Sequence, residues 1–352
     1  MTALLEIDEL CCDFTVGSNL WARARGRQPP VLHAVNDVSF SVAAGASVGI
    51  VGESGCGKST LARAIIGLAE PTSGAIRLDG SDLAGKRDHA TRRRIQMVFQ
   101  DPGSSLNPKM TVGAAITEVL RFHKLRERDA IEGRCHELLE LVELSPSTFD
   151  RRPAGLSGGQ RQRVAIARAL ALEPDLLIAD EAVAALDVSV QASVLNLLND
   201  LRARLGLTML FISHDLGVVR QVTDRVMVLY LGRIVEDQPT GDLFDDPRHP
   251  YTKALLAAAP RFTTKKTPGQ SALPGEVPSA IDLPTGCAFR GRCPQAATRC
   301  ENERPILAGP DPARFVACHF AWPSNTGGLD APGSAPIRVG EHNGEALPRG
   351  ID

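Results

Sequence analysis

The 352-residue chain predicts an α/β fold, and three observations carry that expectation. Short apolar runs of strand length alternate with longer helical stretches up to about residue 240. One such run, residues 47–51, passes straight into a glycine-rich turn that opens a helix. Another, residues 176–179, is apolar at every position, as a strand buried on both faces should be.

The elements follow in chain order. Residues 4–14 and 38–51 read as strands, the second with Val38, Phe40 and Val42 in alternation. Between them, residues 15–32 interrupt the strand order with Arg23, Arg25 and Arg27. The plain reading is a solvated loop; the sharper one is a contact with lipid headgroups or a partner. Residues 58–68 read as a helix and 95–99 as a short strand. A polar-rich helical pattern runs from about 112 to 144, broken near Arg128 and Asp129. Residues 159–172 are good helix formers throughout. Then come the strand at 176–179, a helix over 188–205, and strands at 208–212 and 225–231. After Gly241 prolines arrive every few residues (Pro247, Pro250, Pro260, Pro268, Pro274, Pro278, Pro284), which predicts a small irregular second domain over 241–323. Residues 324–352 hold nine Gly or Pro and few large apolar side chains, and are expected to form a disordered tail.

Composition narrows the function classes. A net charge of −2 does not point to bulk electrostatic binding of nucleic acid. No apolar run approaches the roughly 18 residues of a membrane-spanning helix. Glu6, Asp8 and Glu9 interrupt any signal-peptide core. The expectation is a cytoplasmic protein that acts at a membrane only by docking onto other chains.

Three motifs carry chemistry. Gly52-Glu53-Ser54-Gly55-Cys56-Gly57-Lys58-Ser59-Thr60 follows a strand and opens a helix, the required context of a phosphate-binding loop. Its glycines let backbone N–H groups curl around an anion, and the helix N-terminus adds free donors. Lys58 is expected to reach the β- and γ-phosphates, and Ser59 to place its hydroxyl on Mg²⁺. Cys56 sits where a thiol pKa can fall; a small space-filling residue is the plainer reading. Leu176-Leu177-Ile178-Ala179-Asp180-Glu181 ends an apolar strand in two carboxylates, Asp180 for the cation and Glu181 for the attacking water. Leu156-Ser157-Gly158-Gly159-Gln160 makes a second phosphate-ready helix start about 100 residues after the first. A single nucleotide hardly needs both.

Together these residues resemble the ATP-binding cassette (ABC) family over about residues 4–240. The resemblance implies a P-loop NTPase domain (1–240) with an antiparallel β-subdomain, a helical subdomain near 101–160, ATP and Mg²⁺ as cofactors, and two ATPase domains paired head to tail. Each ATP then lies between one chain's phosphate loop and the other's residues 156–160. By resemblance, Gln100 senses Mg²⁺ and the membrane partner, His214 contacts the γ-phosphate, Ala185-Leu186-Asp187 crosses the dimer interface, and Phe14 stacks on adenine. Ala182 departs from the family's usual Pro; with Asp180 and Glu181 present, hydrolysis is expected to survive.

The finer resemblance is to oligopeptide and dipeptide importers, a subgroup that includes nickel and glutathione importers. It rests on Phe99-Gln100-Asp101-Pro102, Ser104-Ser105-Leu106-Asn107-Pro108, residues 185–191 and His249-Pro250-Tyr251-Thr252; Asp101 resembles the second, F-type ATPase subunit. Implied partners are a homologous second ATPase subunit in a heterodimer, two transmembrane permeases and, indirectly, an extracytoplasmic substrate-binding protein. The implied location is the cytoplasmic face of the inner membrane. Four of the eight cysteines, Cys287, Cys293, Cys300 and Cys318, cluster in the second domain at spacings that match neither a zinc ribbon nor a common ferredoxin run. Related extensions resemble a [4Fe–4S] site; Zn²⁺ and metal-free thiols stay open. Rival functions are a soluble ABC ATPase of DNA repair or translation, an exporter ATPase, and a metal-binding regulatory protein with the cassette as scaffold.

Overall fold

A computed structural model describes residues 3–17, 29–83, 85, 87–101, 106–259 and 275–322. The three arginines of the early insertion, Pro102, Ser104 and Ser105 of the importer-like motif, and the expected tail lie outside the described residues.

Two long strands open the chain, β1 (Ala3–Thr15) and β2 (Val31–Ala43). They pair antiparallel, and β4 (Ser73–Leu78) and β5 (Ser81–Asp82) complete a four-stranded sheet in the order β2-β1-β4-β5. Between them come β3 (Ser47–Val51) and α1 (Lys58–Ile65). The helical part includes α2 (His89–Arg94), α3 (Val112–Phe122), α4 (Ile131–Leu141) and α5 (Gly158–Leu170). Thr111 caps α3 by accepting the Ala114 N–H at 3.2 Å. The remaining core elements are β6 (Ile95–Val98), β7 (Leu176–Asp180), α6 (Val188–Leu205), β8 (Thr208–Ile212), α7 (Leu216–Val222) and β9 (Arg225–Tyr230).

These strands form a second sheet whose parallel portion runs β9-β3-β8-β7-β6. The central strands β3, β8 and β7 are buried at every position, which is why they read as largely apolar runs, whereas edge strand β6 leaves Gln96 and Met97 half-buried. Leu176, Ile178, Leu210 and Ile212 point to one core with the antiparallel sheet and α1; Leu177, Ala179, Met209 and Phe211 point to the other, with the helices. Register decides where function sits: Ile50 pairs Ile212, and Ile212 pairs Asp180. Three carboxyl ends therefore finish level, and the segments after them emerge together, where ligands of open α/β sheets bind.

The segment read as a second domain is tied to this sheet. Strand β10 (Arg233–Pro239) pairs antiparallel with β9, and the chain then passes through α8 (Thr240–Asp245) and α9 (Pro250–Ala258). Beyond the cysteines, β11 (Ala308–Asp311) and β12 (Arg314–Val316) return, with Glu236 opposite Val316 and Asp237 opposite Phe315. The sheet thus reaches eight strands, and residues 275–322 pack on the cassette as its edge. Among the described residues no helix is long and apolar enough to cross a membrane.

Candidate nucleotide site

The phosphate loop is shaped by two glycines. Gly52 has φ 154° and Gly57 φ 109°, and a Cβ would fall 2.3 Å from the Leu229 carbonyl oxygen at the first and 2.2 Å from that of Ala34 at the second. Gly57 caps α1 without a side-chain bond, which leaves the helix's first N–H groups to an anion. Lys58 is buried and donates to the Gly52 carbonyl at 2.8 Å and the Glu53 carbonyl at 3.0 Å, so its ammonium lies curled against the loop. Cys56 is buried beside it. Burial raises the thiol pKa more than Lys58 lowers it, so Cys56 packs the loop as a neutral thiol. Ser54 and Gly55 form the exposed tip, and Thr60 continues α1.

The carboxylate pair lies against this loop. Ser59 donates its hydroxyl to Asp180 Oδ1 at 3.2 Å. Burial raises the Asp180 pKa, and the Ser59 bond pulls the other way. A desolvated carboxylate beside a hydroxyl is a fitting donor set for a hard divalent cation. Glu181 takes a left-handed backbone, φ 47°, and its N–H bonds the Ile212 carbonyl at 2.8 Å. Gln100 Nε2 donates to one carboxylate oxygen at 2.8 Å, and His214 Nδ1 lies 3.1 Å from the other. Lys58, Ser59, Gln100, Asp180, Glu181 and His214, spread over 157 positions, thus meet at one place. Ala182, next in the chain after Glu181, is buried.

The second helix start is built just as definitely. Ser157 accepts the Gln160 N–H at 3.2 Å, and Gln160 Oε1 accepts the Ser157 N–H at 3.0 Å, a complete capping box at the head of α5. A Cβ at Gly159 would lie 2.3 Å from Val190, so the missing side chain lets α5 pack on α6; one at Gly158 would lie 3.3 Å from Leu186. Leu156 anchors the turn in the core, while Asp187 stands exposed at the start of α6 with no side-chain cap bond. Among the described residues no hydrogen bond joins residues 156–160 to 52–60. Phe14, opposite Leu32 near the end of β1, is 40% exposed.

Cys287, Cys293, Cys300 and Cys318 line one small cavity together with His249 and Phe289, and the Cys287 N–H bonds the Cys300 carbonyl at 2.8 Å. Burial raises the thiol pKa of Cys287, Cys293 and Cys318. Four sulfurs are the right donor chemistry for a soft metal. Their placement does not close on one: among the described residues no three His, Cys, Asp or Glu side chains are arranged to hold a metal ion. The structure therefore lends no support to the expected [4Fe–4S] or zinc site: the four thiols share a cavity without an arrangement that holds a metal ion.

Three residues that support the loop were given no role by the sequence. The Tyr251 hydroxyl accepts the Glu53 N–H at 2.8 Å. Arg292 meets the Glu53 carboxylate through both terminal nitrogens, at 2.7 and 3.0 Å. Glu236, fully buried, accepts the backbone N–H groups of Arg248 at 2.7 Å and His249 at 3.0 Å, holding the turn that presents Tyr251. The His249-Pro250-Tyr251-Thr252 resemblance pointed at this turn without a role; Arg292 and Glu236 carry no local signal at all.

Phosphate loop, paired acids at a strand end and a clamped glutamate define a P-loop ATPase. A family model described as "ABC transporter" matches residues 35–184, and one described as "Oligopeptide/dipeptide transporter, C-terminal region" matches 235–300. A probable peptide ABC transporter ATP-binding protein of Sinorhizobium fredii is 50% identical over 325 residues, 92% of this chain and 91% of that protein. An oligopeptide transport ATP-binding protein of Bacillus subtilis is 45% identical over 325 residues, 90% of this chain and 97% of that one. Among solved structures, a dimeric ATP-binding cassette in a post-hydrolysis state with ADP and phosphate superposes with TM-score 0.58 at 29% identity, over 67% of this chain and 98% of that one. A component of an ABC transporter complex from Clostridium perfringens gives TM-score 0.61 at 27% identity, over 70% and 92%. The chain belongs to the ATP-binding subunits of ABC transporters.

Proposed function

We propose that this ATPase powers the import of oligopeptides or dipeptides through a membrane transporter. The observation that carries the proposal is the clamped Glu181 carboxylate beside the Ser59–Asp180 pair, in a chain whose later part matches the oligopeptide/dipeptide transporter C-terminal region. On ATP binding, Lys58 leaves the Gly52 and Glu53 carbonyls for the β- and γ-phosphates. Ser59, Asp180 and Gln100 would hold Mg²⁺, which would supply neutralising charge to the phosphates. Glu181, fixed through both oxygens, polarises the attacking water, and His214 orients it against the γ-phosphate. Phe14 stacks on the adenine.

Residues 156–160 and Asp187 act on ATP held by a second, homologous ATPase subunit. What supports this is a complete phosphate-ready helix start in a chain whose own site already has one. ATP closes the pair, and hydrolysis reopens it. The motion passes to two permeases through a groove of about 530 Å³ lined by Phe99, Phe122 and His123, where Phe122 is 66% exposed. The subunit then sits on the cytoplasmic face of the inner membrane, with a substrate-binding protein outside. The four cysteines are the ligands of a metal staple, iron–sulfur or zinc, that stands in for a core in a proline-rich segment.

The test is reconstitution with both permeases and the binding protein in vesicles. ATP-dependent uptake of labelled peptides is expected. Uptake of nickel or glutathione in place of peptides moves the substrate within the subgroup. Absence of phosphate release overturns the ATPase role in favour of a scaffold.

A further inference from the structure

We propose that Arg292 and Tyr251, both beyond the stretch matched by the cassette family, are positioning residues for ATP: they hold Glu53 so that the phosphate loop keeps its anion-receiving shape. Every polar group of Glu53 is engaged. Its N–H goes to the Tyr251 hydroxyl at 2.8 Å, and its carbonyl takes the Lys58 ammonium at 3.0 Å and the Cys56 N–H at 3.3 Å. Its carboxylate takes the forked Arg292 guanidinium. The two outside grips come from 198 and 239 residues along the chain.

The grips are rigid. Tyr251 is fully buried, and its ring packs against Tyr230 at 4.7 Å and Phe289 at 5.4 Å between centroids. Arg292 is 6% exposed, its guanidinium 6.0 Å from the Tyr230 ring and 5.9 Å from that of Phe289. A guanidinium in such a slot cannot leave its carboxylate without stranding a desolvated charge. The bidentate fork also fixes direction as well as distance. A loop that binds an anion through backbone N–H groups loses affinity when it must first be ordered, so a fixed Glu53 lowers the cost of binding. Arg292 adjoins Cys293, which gives the cysteine-bearing segment a direct contact with the phosphate loop.

The inference rests on residues 52–60 being the ATP loop, and the experiment separates the two. A fluorescent ATP analogue with Mg²⁺ is titrated into the full-length chain, and steady-state hydrolysis is measured in parallel. Lys58→Ala is the control: unchanged binding there overturns the loop assignment itself. With that control lost as expected, Arg292→Gln should bind about tenfold more weakly, a typical coupling between sites. Its KM should rise while kcat at saturating ATP holds, since the interaction serves ground state and transition state alike. Arg292→Lys, which keeps the charge and loses the fork, should fall between. Combining Arg292→Gln with Glu53→Gln should add little to either alone. Wild-type affinity in folded Arg292→Gln, additive losses, or a kcat defect at unchanged KM each overturn the proposal. Should Arg292→Gln fail to fold by circular dichroism, Tyr251→Phe removes a single oxygen and carries the same KM-against-kcat test, with unchanged KM overturning it.

Discussion

Gln100 donates its side-chain amide to the Glu181 carboxylate at 2.8 Å, although 81 residues separate them. With His214 Nδ1 3.1 Å from the other oxygen, both Glu181 carboxylate oxygens have a partner. Glu181→Gln keeps the shape and loses the base. It should retain ATP binding and lose about a thousandfold in turnover, within the usual span of general-base catalysis. Single-turnover hydrolysis checks this, and turnover at the wild-type rate would remove Glu181 from the role.

Ser157 heads a capping box on α5, so a bulky cation there alters a surface rather than a core. In a pair of unlike ATPase chains, Ser157→Arg should impair the site built on the partner's phosphate loop and spare this chain's own. Nucleotide trapping resolved by subunit measures it. Loss confined to this chain's own loop contradicts head-to-tail pairing.

His249 supplies a pH signature. Burial holds its ring neutral down to about 3, against an ordinary 6.5. Its Nδ1 accepts the Tyr251 N–H at 3.0 Å, the Phe289 ring lies 5.7 Å away, and its backbone N–H meets the Glu236 carboxylate. The folded pKa is depressed, so the neutral ring's contribution is complete above 6.5 and is lost as pH falls from there towards 3. The slope approaches about 1.4 kcal/mol per pH unit for this one group. Burial raises the Glu236 carboxyl, which acts in the opposite sense nearer its own range. Denaturation midpoints between pH 7 and 5 should fall for the wild type and flatten in His249→Gln. Parallel curves for the two proteins would refute the assignment.

The cysteines are tested on anaerobically purified protein. Iron with acid-labile sulfide marks a cluster; a colourless protein with about one zinc marks the alternative. If the proposed metal staple exists, Cys300→Ser should make residues 275–322 more open to proteolysis, because metal-binding energy would be lost from the fold. Hydrolysis by the isolated subunit should fall less than assembly with the permeases. Metal-free protein as resistant as freshly isolated material would leave the four as ordinary buried thiols.

How much was legible follows from how local each signal is. The phosphate loop, residues 156–160 and the 176–181 strand are contiguous, and their chemistry depends on backbone shape that a few neighbouring residues impose. The buried parallel strands announced themselves because both faces are covered, as Leu176, Leu177, Ile178 and Ala179 show. Gln100 and His214 were legible only through resemblance, because a lone Gln or His carries no chemistry until a partner is placed beside it. The reading of 241–323 as a separate domain followed proline spacing; backbone pairing of β10 with β12, which leaves no mark on composition, joined that segment to the main sheet.

What the sequence by itself determined is therefore the fold class and the ATP-binding cassette family, through motifs whose residues lie side by side in the chain. Tertiary structure alone decided that Arg292 and Tyr251 grip Glu53. Those contacts join residues far apart in the chain, and a side chain's partner across such a distance is set by packing of whole elements, to which its own neighbours in sequence contribute nothing.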